Sequence, residues 1–230
     1  LKISLIVKNW LRRKGYRLIH EINFEGKHHE TKTLQIEESW LQDVKLVSSR
    51  EAVLKELGSR NIIAEIGVGF GDFSCNLLRT FKPIKFVAID LFNVTKDGKW
   101  GRALQESGKN HMSYFKQQVA KDLEETELII KQGVSWEEIA KFQDNFFDYI
   151  YIDADHKYES VKKDISIAQA KVKLGGLLQC NDFTHFDSYN FVHYGVPRAV
   201  FELINQGNFK LTHLCLHPHG FYDVVLERIS

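Results

Sequence analysis

The sequence predicts a doubly wound α/β sheet of seven strands, mostly parallel, with an antiparallel C-terminal hairpin strand. Three features predict it. From residue 45 onward, short apolar runs alternate with segments of helical periodicity. The first of these runs ends in a glycine-rich turn that opens a helix, as in a βα unit. The chain closes on two runs, residues 209–216 and 221–229, joined by HPHG, a spacing that suits an antiparallel pair.

Each element has a local reason. Val53, Leu54 and Leu57 share a helix face that Gly58 ends. Residues 61–66 are a short apolar strand running into glycines. Asp72 is expected to cap a helix whose Phe73, Leu77, Leu78 and Phe81 share a face and which Pro83 stops. Residues 84–90, IKFVAID, are the second strand. Residues 92–110 read as a long polar loop, with Lys99, Trp100 and Arg102 as candidates for a lid. Met112, Phe115, Val119 and Leu123 mark the next helix face, and residues 127–131 the third strand. A helix then runs from Ser135 through Phe142, and residues 147–153 are the fourth strand. Tyr158, Val161, Ile165, Ala168 and Val172 trace a helix that Gly175-Gly176 is expected to stop. Residues 177–181 are the fifth strand, and Pro197 opens a helix that ends at Gly207. Residues 1–45 precede the alternation and read as an appended cap, which leaves 46–230 as one domain.

Composition narrows the class. A chain of 230 residues suffices for one α/β domain with a sizeable core. A formal charge of +1 argues against bulk nucleic-acid binding. The three cysteines, Cys75, Cys180 and Cys215, form neither a zinc spacing nor a disulfide framework, so a reducing, cytoplasmic setting is expected. No apolar run approaches the roughly 20 residues that span a bilayer. Residues 1–20 hold six Lys/Arg and no acid. They read as a solvated basic helix, or as an amphipathic helix lying on a membrane surface or a partner.

The stretch from Glu65 through Gly67, Gly69 and Gly71 to Asp72 follows a strand and opens a helix. Glycines there let the chain turn tightly and let a ligand approach the main chain. Asp90 closes the next strand, where a carboxylate can take a ribose hydroxyl pair. A dinucleotide would set its pyrophosphate on the helix N-terminus, and Asp72 would repel it. A ligand carrying an ammonium and a sulfonium suits both Asp72 and Glu65, which favours S-adenosylmethionine over a nicotinamide dinucleotide.

With these residues in view, the sequence resembles class I S-adenosylmethionine-dependent methyltransferases, which have a Rossmann-like sheet. EIGVGFGDFS is similar to their first motif and VAIDLF to the second-strand motif ending in the ribose-binding acid. FDYIYIDADHKYESVKKDI and KLGGLLQCNDF resemble a bacterial branch grouped with small-molecule and sugar O-methyltransferases. The resemblance implies that Glu65, Gly67, Gly69 and Gly71 line the methionine end of the cofactor and that Asp90 holds the ribose. It implies adenine contacts from residues 133–136, with Ser135 and Trp136 the candidates and Val134 standing where many relatives carry an acid. It also places the fourth and fifth strands side by side, with the final hairpin strand beside the fifth.

Ligands of open α/β sheets bind outside the carboxyl ends of the strands. Asp153 ends the fourth strand, and Asn181 and Asp182 end the fifth. Neighbouring strands lie about 4.8 Å apart, so these oxygens are candidates for a shared divalent ion, Mg²⁺ first and Ca²⁺ or Mn²⁺ next. Asp153 counts both as a metal ligand and as a cofactor contact. Such an ion would lower the pKa of a bound hydroxyl. Asp155 and His156 are the competing candidates for the base that takes its proton. Asp155 has a second reading as a cap of the following helix. Asn181 departs from the family pattern, where an acid is usual. His185 is a candidate for the substrate pocket, and His193, His217 and His219 read as loop residues.

The expected protein is therefore a cytoplasmic S-adenosylmethionine-dependent methyltransferase acting on a hydroxyl of a small molecule or glycan, with Mg²⁺ as a candidate aid. The expected partners include no nucleic acid and no transmembrane segment, and a homo-oligomer is left open. Rival readings are a metal-independent N- or C-methyltransferase of the same fold, a catalytically silent cofactor-binding partner subunit, and a nicotinamide oxidoreductase.

Overall fold

In the computed structural model, residues of strand β2 (Ile62–Ile66) alternate between two buried layers: Ala64 and Ile66 join one, Ile63 the other. The same alternation runs through β3 (Lys85–Asp90), β5 (Phe147–Ile152) and β6 (Val172–Cys180), so both faces of the sheet need a helical cover. Helices α1 (Arg50–Glu56), α2 (Asp72–Phe81) and α4 (His111–Val119) cover one face with Leu54, Leu77, Phe81 and Phe115. Helices α5 (Ser135–Ala140), α6 (Tyr158–Lys171) and α7 (Val196–Ile204) cover the other with Ile139, Ile165, Ala168 and Val200. The short α3 (Arg102–Ser107) lies between β3 and α4 in the chain. Each fully buried Leu, Ile or Phe contributes about 1.5–3 kcal/mol. The described residues are 36–98 and 100–230, and Ile36–Ser230 form a single unit. The basic stretch 1–20 and Lys99 lie outside the described residues.

With β1 (Lys45–Val47), β4 (Glu127–Gln132), β9 (Phe209–Cys215) and β10 (Asp223–Arg228), the sheet order is β1-β9-β10-β6-β5-β2-β3-β4. β10 pairs antiparallel with β6 and with β9, and the other pairs are parallel. The chain order reverses between β2 and β5, so a crevice opens at their carboxyl ends. Gly67 and Asp153 stand there.

The doubly wound sheet and its closing hairpin match the expectation, with five differences. The main sheet has eight strands among the described residues, because Lys45–Val47 adds to the edge through Lys45 beside His213 and Val47 beside Cys215. Asp72 does not cap α2: Gly71 is the N-cap, at φ 93°, and Asp72 is the first helical residue. There the helix dipole still favours its charge. Gly175-Gly176 does not stop α6. The helix ends at Lys171, and β6 already begins at Val172, which is buried beside Phe147. The glycines instead carry an irregularity in register, with Gly175 at φ 72°. Finally, the expected loop 92–110 contains α3, anchored by Leu104 alone, too little apolar pattern to reveal a helix. A two-stranded hairpin, β7 (Phe186–Asp187) with β8 (Val192–His193), was likewise unannounced. Among the described residues no helix is long and apolar enough to cross a membrane.

Candidate active site

The turn after β2 is held from three sides. Gly67 N–H donates to Ile89 O at 2.8 Å, and a Cβ on Gly67 would lie 2.1 Å from Asp153 O. The turn is thereby wedged against the tip of β5. Gly69 N–H donates to Asp90 Oδ2 at 3.1 Å, while Phe92 N–H donates to Asp90 Oδ1 at 2.7 Å. Each Asp90 oxygen keeps a second acceptor position. Gly69 O accepts from His111 Nε2 at 2.8 Å; the Nε2–H tautomer follows because His111 Nδ1 accepts from Val94 N–H at 3.4 Å. A Cβ on Gly69 would meet no protein atom within 4 Å, so this side of the turn is an open cradle.

Glu65 lies near the end of β2 and is tied to α2. It is 1% exposed and accepts a hydrogen bond from the Ser74 hydroxyl of α2. Burial raises its pKa well above the usual carboxylate range, and Ser74 opposes that only in part. Gly71 packs against Phe115 and Val119 of α4.

The expected adenine segment lies at the end of β4. Gly133 N–H donates to Asp90 O at 3.0 Å, which joins the two strand ends. Ser135 and Trp136 open α5, with Val134 as N-cap. Trp136 is half-buried, with Lys163 Nζ 4.7 Å from its ring centroid, so one face of the indole is engaged by α6. Near Ser135, α6 buries Asp164 completely, and neither carboxylate oxygen meets a donor at good geometry. Burial pushes its pKa up to about 6, and the Ser135 side chain opposes the shift. An acid whose pKa rises on folding stabilises the fold most at low pH and loses that contribution as pH climbs through the folded value. Asp164→Asn is therefore expected to gain roughly 1–3 kcal/mol over wild type at about pH 8. The gain should vanish near pH 4, in urea unfolding at both values. Equal stabilities at both would refute it.

The acids named at the strand tips do converge. Asp153 N–H donates to Ile66 O at 2.8 Å and Asn181 N–H to Ile152 O at 3.0 Å, which aligns the ends of β2, β5 and β6. His156 stands between the acids, its Nε2 3.4 Å from Asp153 Oδ1 and 3.7 Å from Asp182 Oδ2. Burial works against a charge on this imidazole, but Asp153 first and then Asp182 outweigh it and raise its pKa. Burial pushes Asp182 up to about 6, with His156 pulling the other way. Asp155 goes elsewhere. It is exposed, and its carboxylate accepts from Ser160 Oγ at 2.7 Å and Lys157 N–H at 3.3 Å. Its two oxygens brace the start of α6.

Beneath the acids runs a polar chain that crosses the sheet. Arg50 Nη1 donates to the Tyr151 hydroxyl at 2.9 Å, and that hydroxyl donates to Asp223 Oδ2 at 3.0 Å. Gln179 Nε2 donates to the same oxygen at 2.9 Å, and Gln179 Oε1 accepts from the Tyr149 hydroxyl at 2.8 Å. Asn181 Nδ2 donates to Asp223 Oδ1 at 3.1 Å. Asp223 is 2% exposed, and burial pushes its pKa up to about 7. Arg50 Nη1 also lies 3.7 Å from Asp153 Oδ2, and its guanidinium stacks 4.6 Å over the Phe73 ring.

A cavity of about 320 Å³ opens on these groups. Arg50, Asn181, Asp182 and Asp223 line it on one side, with Tyr189, Tyr194, His217 and Phe221 among its other walls. Asp187 builds one wall by accepting from Asn190 Nδ2 at 2.6 Å, Tyr189 N–H at 2.8 Å and the Tyr194 hydroxyl at 3.0 Å. The Tyr189 hydroxyl reaches His219 Nδ1 at 2.8 Å, so the 186–193 hairpin touches the loop after β9. His185 and His193 are exposed; neither they nor Trp100 nor Arg102 lines the cavity.

Two ligands are implied by the sequence, and the residues fit one. The open cradle at Gly69 and the spare acceptor positions of Asp90 suit a nucleoside. The expected metal ligands do not suit a divalent ion. Asp153 faces Arg50 and His156, Asp182 faces the same imidazole, and the Asn181 amide is turned to Asp223. Among the described residues no group of three His, Cys, Asp or Glu has metal-binding geometry. Asp153, Asn181 and Asp182 are thus each turned to a protein partner.

Sequence reading missed His111, Arg50, Gln179 and Asp223. His111 left a trace, since it shares the helix face of Phe115 and Val119. Nothing local marked the other three.

A reversed-order parallel sheet with an inserted antiparallel strand, a glycine cradle and an acid on the next strand define a class I methyltransferase. The family described as methyltransferase domain matches residues 64–183, just over half of the chain, and the chain belongs to that family of S-adenosylmethionine-dependent enzymes. Solved structures agree in fold. An O-methyltransferase family protein from Burkholderia thailandensis superposes with a TM-score of 0.55 at 14% identity over 78% of this chain. The chain spans only 55% of that protein. An rRNA methylase from Streptococcus thermophilus gives 0.52 at 15% identity, over 78% of this chain and 94% of its own. The O-methyltransferase TomG from Streptomyces achromogenes, solved with S-adenosylmethionine, gives 0.50 at 14%, over 78% of each chain. No curated protein matches the sequence.

Proposed function

We propose that this methyltransferase methylates an oxygen of a small hydroxylated molecule, a phenol or a sugar, held in the cavity beside Asp182. The observation that carries the reading is the pairing of Asp182 with His156, at 3.7 Å, where a cavity wall meets the tip of β5 and the wedged glycine turn. S-adenosylmethionine, when bound, supplies a methyl group on a cationic sulfur. The chain's own residues hold, align and deprotonate. Asp90 takes the ribose hydroxyls on its spare acceptor positions, and the Gly69 cradle admits the nucleoside. Ser135 and Trp136 bound its base. Asp182 accepts the proton of the acceptor hydroxyl, its pKa near 6 suiting a base at neutral pH. His156, itself faced by Asp153, holds that carboxylate in place. No step falls to a divalent ion.

A small acceptor is favoured over RNA by the cavity's modest volume, its aromatic walls and the formal charge of +1. Three free, buried cysteines support a reducing, cytoplasmic setting. Labelled methyl transfer from S-adenosylmethionine to a panel of phenols, sugars and RNA tests the reading. Label on phenols or sugars supports it, and label on RNA alone overturns it. The cofactor assignment has its own check. Asp90→Ala is expected to weaken S-adenosylhomocysteine binding in calorimetry by about 10- to 100-fold, the loss of hydrogen bonds to a charged acceptor.

A further inference from the structure

Asp153, Asp182 and Asp223 crowd one end of the sheet, and acids taken from water need a cation or must stay protonated. The structure supplies one from a distant part of the chain. Arg50 is the first residue of α1, and Ser49 pins that helix start by accepting from Ala52 N–H at 3.1 Å. Phe73 lies under the guanidinium, Tyr151 accepts from Nη1, and Asp153 Oδ2 lies 3.7 Å away. Nε is used by Glu51 Oε1 at 3.2 Å. Nη2 donates to no described residue, and the side chain lines the cavity.

We propose that Arg50 is the resident cation of the acceptor site: beside Asp153, and next to the His156 imidazole that lies between Asp153 and Asp182, it supplies the positive charge that a divalent metal ion would otherwise bring to the strand-tip acids, and it offers Nη2 to an acceptor oxygen. A planar guanidinium held by stacking aims Nη2 in a fixed direction, which suits a hydroxyl of a phenol or sugar. The second half of this statement rests on the function proposed above; the first half does not.

The test uses the full chain loaded with S-adenosylhomocysteine and needs neither acceptor nor turnover, so it is independent of whether the acceptor is identified. Mn²⁺ is titrated and read by electron paramagnetic resonance, with thermal melting as the folding control. Wild type is expected to leave Mn²⁺ free at millimolar concentration. Arg50→Met vacates the charge while keeping the stem, and is expected to bind Mn²⁺ at least about tenfold more tightly than wild type. Arg50→Lys restores a charge and should return the protein to wild-type indifference. The proposal is overturned if wild type binds Mn²⁺ tightly, if Arg50→Met gains no Mn²⁺ affinity, or if Arg50→Lys behaves as Arg50→Met does.

Discussion

Gly67→Ala is expected to cost several kcal/mol of stability and to lower S-adenosylhomocysteine affinity by about a hundredfold or more. The added Cβ would lie 2.1 Å from Asp153 O, 2.5 Å from Asp153 C and 2.8 Å from Ala154 Cα. All three are backbone atoms, so no side-chain rotation relieves the clash. The site also sits at φ 86°, where a side chain adds about 1–2 kcal/mol of backbone strain. Relief requires the tip of β5 to move, and with it Asp153 and the acids aligned beside it. Gly69→Ala is the contrast. It shares the positive φ, at 50°, but its Cβ would meet nothing within 4 Å. Its stability should fall by only about 1 kcal/mol, while its methyl intrudes on the open cradle and weakens binding. Urea unfolding and calorimetry on both variants separate the effects. A Gly67→Ala protein as stable as wild type would show that the two strand ends are not wedged together.

The second large effect is on turnover. Asp182→Asn is expected to slow methyl transfer by about 10²- to 10⁴-fold, the range that a lost general base covers. S-adenosylhomocysteine affinity should be nearly unchanged, because Asp182 lines the acceptor cavity and not the glycine cradle. The wild-type rate should rise as pH passes upward through about 6, where this carboxyl loses its proton and becomes able to accept another. Asp155→Asn should behave differently. Its carboxylate holds Ser160 and Lys157 at the start of α6, so its loss costs about 1 kcal/mol of stability and little turnover. Single-turnover rates for both variants decide between them. Full activity in Asp182→Asn, with collapse in Asp155→Asn, would return the base to Asp155.

Much of this site was legible along the chain because its signals are local. Gly67, Asp90, Asp153 and Asp182 each follow a short apolar strand, and strand ends in a doubly wound sheet share one edge. Asp155 does not cap α6, whose N-cap is Lys157, but its place two residues before Lys157 lets it accept from that residue's N–H. The partners of the candidate metal ligands were not legible. Asn181 is spent on Asp223, 42 residues ahead, and Arg50 bonds Tyr151, 101 residues away. The edge strand Lys45–Val47 failed for a similar reason. Three residues have no periodicity of their own, and their pairing is with 213–215.

The sequence by itself determined the alternating sheet, its glycine cradle and the edge on which the acids gather. Those follow from side-chain period and backbone freedom, which neighbouring residues settle among themselves. Only the tertiary structure decided what stands opposite the acids. Charge acts across space and not along the chain, so the arginine of a distant helix and a buried carboxylate from the last strand became visible only once the sheet had brought them together.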